Sequence, residues 1–83
     1  MNVISYATDK FVSNRLDGMD RNLAFCLASL ETHRYLMDFV YYAGEPLGEK
    51  MYNDMKFVLD DIRFTQTAEF QYECKIKKIK SPA

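Results

Sequence analysis

The chain has no tryptophan, one histidine, two cysteines and three glycines, and each shortage removes a class of chemistry. Gly18, Gly44 and Gly48 are scattered, so no glycine-rich loop is available to wrap a phosphate. His33 has no second histidine or cysteine three or four residues away, which leaves a helical metal pair incomplete. Cys26 and Cys74 lie far apart without CxxC spacing, so they read as free thiols of a reducing compartment. The first residues, MNVISYATDK, lack a basic segment followed by an apolar run, and no apolar run approaches the ~20 residues that span a bilayer. The expectation is a cytoplasmic protein without a membrane segment.

Charge of one sign is also missing. A formal net charge of −1 excludes both a polycation built for nucleic acid and an acidic mimic of it, since either needs a large excess. What remains is an 83-residue chain, 48% hydrophobic and 28% charged, which is too apolar for disorder and too short for two cores. One small domain is expected over 1–83.

The richest segment is RNLAFCLASLETHRYLMDFVYYAG. Asp20 suits its N-cap and Gly44 its C-terminal exit, which predicts one long helix over about 20–43. Leu23, Cys26, Leu27, Leu30, Met37 and Tyr41 form one stripe on it, and Phe25, Ala28, Leu36, Phe39 and Ala43 form a second on the other side. Only the arc of Glu31, Arg34 and Asp38 is polar, so nearly the whole circumference calls for cover. Pro46 then suits the first turn of a second helix over about 46–62, with Leu47, Met51, Met55, Val58, Leu59 and Ile62 inward and Phe57 alone on the polar side. A short loop between the two implies an antiparallel hairpin.

The flanks are less decided. Val3, Ile4, Ala7 and Phe11 share one helical arc, yet the β-branched and Ser/Asn/Thr residues around them are weak helix formers, and a strand over 2–7 is the alternative. At the other end, Phe70, Tyr72, Cys74 and Ile76 alternate with Gln71, Glu73, Lys75 and Lys77, a period of two that favours a strand. Phe64, Ala68, Tyr72, Ile76 and Ile79 also fall at helical spacing. The fold class expected is therefore mainly α: the hairpin, a short N-terminal helix and a C-terminal β-strand, with an all-α arrangement ending in a long third helix as the alternative.

No residue set points to catalysis, a cofactor or a metal, and the acidic run around Asp60 and Asp61 diverges around its helix. Aromatic side chains carry the functional signal. Tyr35, Phe39, Tyr42 and Phe57 are the expected partner-binding residues, because Tyr and Phe are enriched where proteins meet. The leading expectation is a non-enzymatic protein–protein interaction module, an adaptor or inhibitor of the kind common among phage and plasmid accessory proteins, associating as a homodimer. The alternative is a dimeric nucleic-acid-associated regulator, with Lys75, Lys77, Lys78 and Lys80 contacting an anionic partner. No arginine or stacking aromatic is interleaved with them, so they read first as the guard of an exposed strand edge.

Overall fold

The computed structural model describes residues 2–80, and side-chain surroundings as far as Lys78. Four helices follow one another: α1 Val3–Leu16, α2 Arg21–Ala43, α3 Glu49–Asp60 and α4 Ile62–Lys80. No strand occurs among the described residues. None of these helices is long and apolar enough to cross a membrane.

The helix ends follow the local chemistry. Asn2 caps α1 by accepting from the Ser5 N–H at 3.0 Å, and Asp20 caps α2 by accepting from the Leu23 N–H at 2.8 Å. Gly44 closes α2 in the left-handed region, φ 68°, where its N–H donates to the Val40 carbonyl at 3.0 Å. Pro46 lies in the linker after it, so α3 begins at Glu49, three residues later than the proline implied. Asp61, extended at φ −104°, is the single residue between α3 and α4; its carboxylate accepts from the Arg63 N–H at 2.9 Å and so caps α4.

α1 is the helix the others share. It packs against α2, α3 and α4, whereas α2 and α4 touch only weakly. Its Val3, Ala7 and Phe11 are fully buried, with Val12 and Asn14 nearly so. Burial on several sides outweighs the weak propensity of its β-branched residues, which amounts to only tenths of a kcal/mol each. The core gathers Ala7, Phe11 and Val12 from α1, Ala24 and Ala28 from α2, Val58 from α3, and Phe64 and Ala68 from α4. Small residues on α2 let α1 approach closely, and Asn14 Nδ2 donates to the Ala24 carbonyl at 3.3 Å across that contact. The tightest antiparallel pair is thus α1 with α2, and the expected hairpin of the two middle helices is the lesser contact.

The C-terminal strand is corrected to helix α4. An isolated strand would leave its backbone groups unpaired, and no extended neighbour exists for it among the described residues. As a helix the same residues satisfy their own backbone and stack Phe64, Ala68, Tyr72 and Ile76 on one side. Phe64 and Ala68 are buried there, and Tyr72 packs against the core. Arg15 of α1 locks this placement. Its Nε and Nη2 donate to Glu69 at 3.0 and 2.8 Å, its Nη1 donates to the Met19 carbonyl at 2.8 Å, and its guanidinium sits 4.4 Å from the Tyr72 ring centroid. The hydrogen bonds to Glu69 raise the Arg15 pKa further above its ordinary value.

Candidate interaction surfaces

α1 lies antiparallel on α2 in a register fixed by three contacts: Asn14 at Ala24, Lys10 to Glu31 at 3.4 Å, and the Tyr6 ring 4.6 Å from that of Tyr35. Continued by three residues from the Tyr6–Tyr35 pair, that register brings Val3, the first residue of α1, to the level of Asp38, just past Leu36, the last fully buried side chain of α2. α2 continues five residues beyond that level, to Ala43, so about 7–8 Å of it runs on past α1 at ~1.5 Å per residue.

The inward stripe of α2 therefore emerges into solvent at this end. Tyr35 and Phe39 are each about 40% exposed and Tyr42 is 82% exposed. With Asp38 and Ala43 they line an open groove of about 430 Å³. Tyr35 is held from behind by Tyr6, whose ring also faces the Lys10 ammonium at 5.5 Å. Tyr41 meets the edge of Tyr42 at 5.1 Å, so the tip of α2 carries a connected aromatic group. Sequence reasoning brought Tyr35, Phe39 and Tyr42 together correctly on one face, and the structure supplies the reason that this face is open.

Phe57 is not part of this group. It is half-buried against the core, edge-on to Phe64 at 6.4 Å, with the Arg63 guanidinium 5.7 Å from its ring. α3 is turned so that Phe57 and Val58 point inward, while Leu59 and Ile62, predicted inside, are exposed. Its burial is thus met within the chain. Asp61, grouped in sequence with an acidic face, caps α4 instead, and hydrogen bonds from the Arg63 side chain and N–H hold its carboxyl below the ordinary carboxylate value.

The lysines guard no strand edge, because they stand on a helix. Lys75, Lys77 and Lys78 are exposed and diverge around α4 at 100° per residue, and Lys75 borders a small polar groove with Thr8, Asp9 and Gln71. Cations at a helix C-terminus oppose the partial negative charge of its last carbonyls, which gives them a local role. The Lys80 side chain lies outside the described residues.

The second surface is the other stripe of α2. Ala24, Ala28, Thr32 and Leu36 face the core, and Leu23, Leu27, Leu30, Arg34, Met37 and Tyr41 point the opposite way. Leu30 is 63% exposed, with Leu23, Met37 and Tyr41 also open. Their steps of four, three, four, three and four residues are a heptad seam, and Cys26 and His33 border it. The sequence expectation that α2 is covered nearly all round holds for one side of it only. The sequence grouped Leu23, Leu27, Leu30, Met37 and Tyr41 on this stripe together with Cys26 and set Arg34 on the polar arc; the structure puts Cys26 at the border and Arg34 in line with the stripe.

Among the described residues no cluster of three or more His, Cys, Asp or Glu side chains is placed to hold a metal ion. Comparison with protein-family models, curated proteins and solved structures gave no match.

Proposed function

We propose that this protein is a non-enzymatic interaction module, an adaptor or inhibitor, that engages another protein through the aromatic end of α2. The observation that carries this reading is the overhang itself. Folding alone would favour polar residues where α2 leaves α1, yet the groove there is lined by Tyr35, Phe39, Tyr42 and Ala43 with a single carboxylate, Asp38. Rings of this kind offer large contact area at little conformational cost, and buried aromatic anchors dominate the energy of many interfaces. The carboxylate at the rim and the electron-rich ring faces favour a partner that inserts an apolar or basic side chain.

The test is a photo-cross-linking residue placed at Phe39, compared with one at Gln66, in cells that make the protein. Gln66 is exposed on α4 and lies outside the α2 groove. The reading expects a discrete protein adduct from position 39, absent at position 66 and lost when Tyr35 and Tyr42 are both changed to Ser. Equal labelling at both positions, or an adduct indifferent to those changes, refutes it.

A further inference from the structure

Except for half-buried Leu27, the outward seam of α2 is exposed on its own chain, and its spacing is that at which one helix keeps a constant face toward another. We propose that a second copy of this chain closes the seam, with the two α2 helices antiparallel. The seam is self-complementary in length and content. One antiparallel register brings all of it together: Leu23 opposite the partner's Tyr41, Leu27 opposite the partner's Met37, and Leu30 opposite the partner's Arg34.

Charge selects the orientation. Arg34 is the one charged residue in the seam, and it pairs with no carboxylate among the described residues. A parallel pair would set Arg34 against the partner's Arg34 in a partly dry contact, which is unfavourable. The antiparallel pair instead brings Arg34 within about 1.5 Å, along the axis, of the partner's Glu31. Arg34 leans toward the flank that carries Glu31 and Asp38, and antiparallel packing places that flank of both helices on one side. Glu31 already meets Lys10 of its own chain at 3.4 Å, so the pairing adds a second cation to that carboxylate and gives Arg34 the counter-charge it lacks. Tyr35, Phe39 and Tyr42 lie on a different side of α2 from the seam and meet it only at the Tyr41–Tyr42 contact and at Asp38, so the pairing is tested at Leu30 and Met37, which do not line the groove.

Size-exclusion chromatography with light scattering on the full chain, over a micromolar to submillimolar range, tests the pairing. Wild type is expected to approach twice 9.8 kDa as concentration rises. Leu30→Glu and, separately, Met37→Glu each place a charge in the seam and should weaken the dimer at least ~tenfold, about 1.4 kcal/mol. Both sites are exposed in the single chain, so helical content should be unchanged. Orientation is read with a short thiol-to-thiol cross-linker. Position 33 lies about 3 Å along the axis from its copy in the antiparallel register, and position 26 about 18 Å. Covalent dimer should therefore form from His33→Cys in a Cys26→Ser, Cys74→Ser background, but not from native Cys26 in Cys74→Ser. A wild type that stays at 9.8 kDa, or a dimer that survives both glutamates, overturns the interface; cross-linking at both positions, or at neither, overturns the antiparallel arrangement.

Discussion

Changing Arg15 to Ala removes the main polar tie between α1 and α4. Three hydrogen bonds of 2.8 to 3.0 Å and the contact with the Tyr72 face disappear together. The Arg15 and Glu69 side chains are 22% and 15% exposed, so the pair stands between two regimes. An exposed pair is worth about 0–1 kcal/mol, and breaking a fully buried one costs about 3–5. A loss of about 2 kcal/mol for the pair is reasonable, and the partly exposed ring contact adds about 0.5–1. The expected destabilisation is about 2.5–3 kcal/mol, out of a total of about 4–12 for a domain of this size. At about 4–8 °C per kcal/mol the melting temperature should fall by about 10–24 °C. Urea unfolding followed by far-ultraviolet circular dichroism measures it. Arg15→Lys keeps the charge but not the two-pronged geometry and should recover less than half of the loss. A double-mutant cycle with Glu69→Gln should return a coupling of about 1–2 kcal/mol. If Arg15→Ala costs less than about 0.5 kcal/mol, as a surface change would, the tie contributes nothing and the docking of α4 rests on the apolar contacts of Phe64, Ala68 and Tyr72.

Two further outcomes follow from the described contacts. Phe57→Ala should cost about 2–3 kcal/mol in the same unfolding assay, somewhat below the ~3–5 of a fully buried phenylalanine; an unchanged midpoint would return Phe57 to the surface. The folded Asp61 carboxyl ionises below the usual carboxylate value, so its stabilisation is complete above that value and is lost as pH falls through the lower folded one. The stability difference between wild type and Asp61→Asn should therefore be flat near neutral pH and narrow below about pH 4, and a difference that widens with acid would contradict the cap.

What the sequence made legible were features fixed by short-range chemistry. Asp20 and Gly44 bound α2 because capping and left-handed exit need only the residues themselves. α4 was ambiguous because Phe70 to Lys77 satisfies a period of two over eight residues, while the helical period emerges only over the longer run from Phe64 to Ile76. The competing signal that decides it, Glu69 meeting Arg15, lies 54 residues away in the chain. The phase of α3 was misread for a related reason: Phe57 sits among polar neighbours on its own helix, and its place becomes clear only with Phe64 beside it. Tyr35, Phe39 and Tyr42 could be grouped by spacing, but their exposure depends on the difference in length between α1 and α2 and on the register between them. Neither follows from the pattern of a single segment.

The sharing of α1 among the other three helices bears on how the chain reaches its fold. A helix of 14 residues with weak formers has little stability in isolation. α2 and α4, which touch weakly, have little to hold them together until α1 lies between them. Partial assemblies are therefore poor resting places, and unfolding should proceed in one step with no surviving subdomain. The slow event is the return of α4 onto α1 across most of the sequence, because closing so large a loop precedes any gain from the contacts it makes. Amide protons of α1 would then exchange only through global opening, and the most protected helix would be the one with the poorest intrinsic tendency to form.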